Sequence, residues 1–138
     1  MKRFFLFLAF TLVTFLMTGV ISAAAPTPMT TFTLLEELPS NMNVGDSYTV
    51  VVEVTSDVPF NSVQAMPSFQ FPGKGVVAVK GGDRAGAGTS AILEITYKAK
   101  TNTSKMPGGI APVFFVVGVR YGAGYVAVQE YVFNVTVP

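Results

Sequence analysis

Apolar and polar side chains alternate with a period of two along most of this chain, and Gly and Pro punctuate the runs. The clearest run covers residues 47–55. Tyr48, Val50, Val52 and Val54 face one way, and Thr49, Val51, Glu53 and Thr55 face the other. Such a segment is a strand with one buried face. Residues 61–71 repeat the pattern, with Val63, Ala65, Phe69 and Phe71 opposite Gln64, Ser68 and Gln70. Pro67 lacks an N–H to donate, which predicts a bulge or a sheet edge at that point. In residues 89–100, Ala91, Leu93, Ile95 and Tyr97 alternate with Glu94, Thr96 and Lys98.

Two further strands, 113–121 and 125–137, flank Gly122-Ala123-Gly124, a three-residue loop whose glycines can supply the positive φ of a tight hairpin. Residues 31–38 form a weaker first strand, and 76–80 a short one after the turn Pro72-Gly73-Lys74-Gly75. The sum is seven strands in roughly 110 residues, with no connection long enough for a crossover helix. That spacing predicts an all-β fold of two packed antiparallel sheets.

The start of the chain breaks this pattern. Lys2 and Arg3 precede an apolar run from Phe4 to about Val20, which ends in Ser22-Ala23-Ala24-Ala25. This order matches a signal peptide helix, with small side chains for the peptidase at Ser22 and Ala24. Pro26 disfavours a cut after Ala25, so residues 1–24 are the expected leader; an uncleaved anchor would export the same remainder. Residues 25–30, with two prolines, form an extended lead-in, and 31–138 the sandwich domain.

Composition then narrows the chemistry. There is no Cys, His or Trp. This excludes disulfide scaffolds, zinc fingers, thiol nucleophiles and His-based triads. Loss of Lys2 and Arg3 with the leader leaves seven basic against eight acidic residues, so there is no basic footprint for nucleic acid. The glycine-rich stretch 81–90 lacks the Lys and the following helix of a phosphate loop, and reads as a mobile connection between sheets. No pair among the eight carboxylates is marked as a catalytic acid and base, and Asp83 alone cannot assemble a calcium site. No cofactor or metal is expected, and no enzyme activity. Asn102-Thr103-Ser104 and Asn134-Val135-Thr136 fit the N-glycosylation pattern.

Val44-Gly45-Asp46-Ser47 with the alternating strand after it resembles the opening of the second strand in bacterial and archaeal immunoglobulin-like (fibronectin type III-like) cell-surface domains. Residues 88–95 are similar to their fifth strand. Pro107-Gly108, the run 113–117, Tyr121 and the run 131–137 resemble their closing hairpin. The resemblance covers most of the exported chain and implies an immunoglobulin-like antiparallel β-sandwich of about seven strands. A weaker resemblance, through the same Val44-Gly45-Asp46 and Val63-Gln64, is to cohesin modules, and implies docking through a sheet face. The chain is shorter than a typical cohesin, and Phe69-Gln70-Phe71-Pro72 lacks the acidic residue usual there.

One feature singles out a surface. In the last two strands both faces are apolar: Phe115, Val117, Val119, Tyr131, Phe133 and Val135 on one, Phe114, Val116, Val126, Val128 and Val132 on the other. Only one can meet the opposing sheet. The other needs a cover from the N-terminal segment, a loop or another chain. Tyr121 and Tyr125 flank the hairpin loop, either as a cross-strand pair or as aromatic faces for a sugar or peptide. Candidate partner-binding residues are therefore Tyr121, Tyr125, Phe114, Val116 and Val128.

The leading expectation is an exported, non-enzymatic module for adhesion, display or protein interaction at the cell envelope. Membrane contact would come only through the leader. One alternative is a self-assembling filament or layer subunit whose residues 25–38 pair with a neighbour. Another is a carbohydrate-binding or cohesin-like docking domain.

Overall fold

A computed structural model describes residues 25–67, 75–122 and 124–138. The expected leader, Phe69, Phe71 and Ala123 lie outside the described residues. Among those described there is no α-helix, and eight strands are formed: β1 (Thr30–Glu36), β2 (Ser47–Phe60), β3 (Ser62–Pro67), β4 (Val77–Val79), β5 (Asp83–Ala85), β6 (Gly88–Ala99), β7 (Ala111–Arg120) and β8 (Val126–Val135). The first sheet has the order β1-β2-β6-β4 and the second β5-β3-β7-β8, with every ladder antiparallel.

The core lies where the inward halves of the alternating runs meet. Val50, Val52 and Val54 of β2 and Leu93, Ile95 and Tyr97 of β6 come from the first sheet. Val63 and Ala65 of β3 and Val113, Phe115, Val117 and Val119 of β7 come from the second. Tyr48, expected on the buried side, is 39% exposed at the start of β2, where the sandwich opens.

The Val44-Gly45-Asp46 motif has a mechanical role at that opening. Gly45 adopts φ 96°, and the Asp46 carboxylate accepts the Asn43 backbone N–H at 2.9 Å, closing the turn. Gly45 N–H and Asp46 C=O then bond Ala99 at 2.8 and 3.0 Å, which locks the start of β2 to the end of β6.

After β1 the chain crosses to the second sheet. Leu38 and Met42 enter the core, and Asn41 forms a parallel bridge with Thr136 just beyond β8. Buried Thr103 secures the same end: its hydroxyl donates to Val137 C=O at 3.0 Å and accepts the Val137 N–H at 3.1 Å. This strand order, with a first segment that pairs into both sheets, is an immunoglobulin-like β-sandwich.

Several expectations are corrected. Residues 81–90 are no loose connection. Asp83–Ala85 is β5, paired with Val63–Ala65 of β3, and Gly88 already begins β6. Gly82 makes the crossing possible, because a Cβ there would collide with the Ala65 carbonyl oxygen. No register shift appears in the β3–β7 ladder through Pro67, so there is no bulge. The sheet edge, the other alternative at Pro67, is what is found: β3 loses its β5 neighbour after Ala65, and among the described residues only β7 flanks Pro67. Of the two loop glycines, Gly124 takes positive φ, at 78°, and Gly122 does not. Finally, half of the proposed N-terminal arm, seven of the residues 25–38, is β1, already paired with β2 of its own molecule.

Candidate functional site

The two outward faces differ sharply. On the first sheet, cross-strand neighbours pair Thr49 with Thr96, Val51 with Glu94 and Thr55 with Ser90, a largely polar surface. Thr49 and Thr96 share a hydroxyl hydrogen bond at 2.9 Å. On the second sheet the outward pairs are Phe114 with Val132, Val116 with Glu130, Gly118 with Val128 and Arg120 with Val126. Met66 extends the apolar surface across to β3, opposite Val116.

The alternation that buries Val113, Phe115, Val117 and Val119 dictates this outer set, since each residue between them must point away from the core. Among the described residues nothing covers it. Val128 is 60% exposed, Val132 51% and Met66 42%. Water around an uncovered apolar patch is a standing free-energy cost that docking would relieve. Near its middle Gly118 carries no side chain, which leaves a shallow groove between Gln64 and Val128. Arg84, beside Gln64 on β5, and Arg120, one outward row from Gly118 on β7, line it as well.

The five sequence-predicted site residues separate into two groups. Phe114, Val116 and Val128 come together on this outer face. Tyr121 does not join them. It follows Val117 and Val119 inward, is 4% exposed, and its hydroxyl meets Thr30 Oγ1 at 2.6 Å and donates to Ser56 Oγ at 2.8 Å. Those bonds tie the hairpin to β1 and β2, so Tyr121 offers no free aromatic face. Tyr125 packs against it, ring centroids 5.7 Å apart and tilted by 46°, as the cross-strand pair does in a hairpin. Met66, Gly118, Arg84 and Arg120 belong to the surface but were not singled out by sequence; for Gly118 and Arg120, their parity with Phe114 and Val116 was the available signal.

Three of the carboxylates serve the fold. Asp46 closes its turn, Asp57 accepts the Met29 N–H at 2.8 Å, and Asp83 accepts the N–H groups of Arg84 and Glu94, each at 2.8 Å. Among the described residues no three acidic side chains come together as a metal site would require. Burial raises the Tyr97 phenol well above its ordinary value and raises that of Tyr131 as well. Among the described residues the Tyr97 hydroxyl has no hydrogen-bond partner, and it is sealed in the core, out of a substrate's reach. Asn102 accepts from the Ser104 hydroxyl at 2.5 Å in an exposed bend, whereas Asn134 projects from the outer face of β8 opposite Pro112.

No family model matches the sequence, and no curated protein does. Among solved structures the chain is similar to native alpha-2-macroglobulin from Escherichia coli, in the part that spans domain MG7 to the C-terminus. The identity is 18%, the match covers 83% of this chain and 17% of that one, and the TM-score is 0.45. It is similar at the same identity and TM-score to the native conformation of the E. coli protein seen by cryo-EM, where it spans 7% of the length. The chain thus corresponds to a small part of each. Its own strand pairing identifies the fold as an immunoglobulin-like antiparallel β-sandwich.

Proposed function

We propose that this chain is an exported, non-enzymatic interaction module that works through the outer face of its second sheet. The observation that carries the reading is the asymmetry between the two outward faces: one largely polar, with Ile92 as an exposed exception, the other bearing a contiguous uncovered apolar patch around Phe114, Val116, Val128 and Val132. Selection for solubility alone would place polar residues on both. Export is supported by the basic, apolar and small-residue zones of residues 1–24. Among the described residues no helix is long and apolar enough to cross a membrane.

The test is a photo-crosslinking residue placed at Val128, and separately at Ile92 on the outward face of the first sheet, in cells of the native host. Ile92 is 56% exposed and so makes a matched control. Crosslinks to protein from position 128 and not from 92 are expected. Equal labelling from both, or an enzymatic activity abolished by one polar substitution, would refute the reading.

A further inference from the structure

We propose that a second copy of this chain pairs with the free edge of β8, joining two second sheets into one across a two-fold axis at Gln129. The inference rests on the reading of the second sheet as the interaction surface, and assigns the β8 edge of that sheet, as distinct from its outer face, to a second copy.

Backbone polarity identifies the edge. Thr136 donates its N–H to Ser40 C=O at 2.8 Å and accepts the Met42 N–H at 3.0 Å, so its polar groups point away from β7. The pleat gives the same direction to every second residue before it: Asn134, Val132, Glu130, Val128 and Val126. Beyond the Ser40–Met42 contact, no strand among the described residues flanks this side of β8. Gln129 Nε2 donates to Glu130 C=O at 2.9 Å, a side-chain substitute for an absent strand partner.

The edge carries little of the usual protection, with Glu130 as its one charge. β8 is ten residues long, pairs with β7 without a bulge, and contains neither Lys nor Pro. The other three outer strands are each blunted. β4 and β5 have three residues apiece, and β1 is broken by a register shift between Leu34 and Glu36.

Self-pairing has a preferred register. An axis at Gln129 sets Val126 opposite Val132 of the other copy and Val128 opposite Glu130, with about eight new backbone hydrogen bonds. An axis at Glu130 would face two carboxylates against each other. An axis at Tyr131 would run Val126 into Thr136, whose groups Ser40 and Met42 already occupy. The Gln129 register also places Arg120, outward beside Val126, diagonal to Glu130 of the other copy, two strand spacings across and two residues along, which sets their Cα atoms roughly 12 Å apart, a gap the two long side chains can bridge. The charges are opposite, and the symmetry makes this contact twice.

The test uses the purified full chain, which has no native cysteine, carrying Gln129→Cys. Facing residues in a non-hydrogen-bonded antiparallel pair have Cα atoms about 4.5 Å apart, within disulfide range. Mild oxidation is expected to give a covalent dimer about tenfold faster or more than Leu35→Cys, which is exposed on β1. Val128→Pro removes an outward N–H while sparing the β7 ladder, and is expected to weaken self-association about tenfold or more in sedimentation. If that variant does not fold, Arg120→Glu and Glu130→Arg are expected to weaken association singly and restore it together. A monomer from roughly 1 μM to 1 mM, with equal cross-linking rates at positions 129 and 35, overturns the proposal. Should position 128 then still capture a different protein in cells, the interaction-face reading stands and self-pairing alone falls.

Discussion

The carboxylate of Asp83 accepts the backbone N–H of Glu94 at 2.8 Å and thereby joins β5 of one sheet to β6 of the other. β4 covers β6 only from Tyr97 to Ala99, so the Glu94 amide lies beyond the end of its neighbouring strand. The aspartate takes the place of the missing strand. Replacing it with Ala leaves that donor without a protein partner and is expected to cost about 1–2 kcal/mol. Asp83→Asn, which keeps one carbonyl oxygen, should retain part of this. Chemical denaturation of the three proteins measures the order.

Gly82 precedes that link and runs against the backbone of β3. Gly82→Ala forces a Cβ onto the Ala65 carbonyl oxygen, which cannot rotate away as a side chain would. A loss of about 1–3 kcal/mol is expected, read from the denaturation midpoint. Gly86→Ala, four residues on and with open space around its Cβ, is the control and should change little.

Two tyrosines should respond oppositely to the same substitution. Tyr121→Phe removes a hydroxyl that bonds Thr30 and Ser56, and is expected to destabilise by about 1–2 kcal/mol. Tyr97→Phe removes a buried hydroxyl with no partner among the described residues, and is expected to stabilise by about 1 kcal/mol. Thermal unfolding of both variants beside the parent decides this.

Tyr97 also sets a pH dependence. Burial raises its folded-state phenol above the unfolded value of about 10. Below that value both states hold the proton and the stability contribution is complete. As pH rises past it, the unfolded chain ionises first and stability falls. Tyr131 shifts in the same direction. Unfolding free energies between pH 8 and about 11.5 should therefore decline at the alkaline end, and less steeply in Tyr97→Phe.

Much of this architecture follows from alternation alone. Val50, Val52 and Val54, and Leu93, Ile95 and Tyr97, declare their buried faces because a period of two leaves a strand no other choice. The uncovered face is legible for the same reason, from Phe114, Val116, Val128 and Val132. β5 was hidden because three residues are too few to show a period, and its placement depends on how closely Gly82 approaches β3 and on the Asp83 side chain. The Asn41–Thr136 bridge joins segments far apart in the chain without any local pattern. Of the two readings open for Tyr121 and Tyr125, the cross-strand pair is the one found, and the parity of Tyr121 with Val117 and Val119 places it inward. Its two hydroxyl partners on β1 and β2 have no local sequence signal and are visible only in three dimensions.

Residue-by-residue amide hydrogen exchange along β8 tests most directly that this strand is an open interaction edge. In the dilute isolated chain, the outward amides of Val128, Glu130 and Val132 are expected to exchange much faster than those of Ala127, Gln129 and Tyr131, which face β7. At high concentration the outward set should become protected. Equal protection of both sets in the dilute chain, or an outward set that stays open at every concentration, would contradict the account.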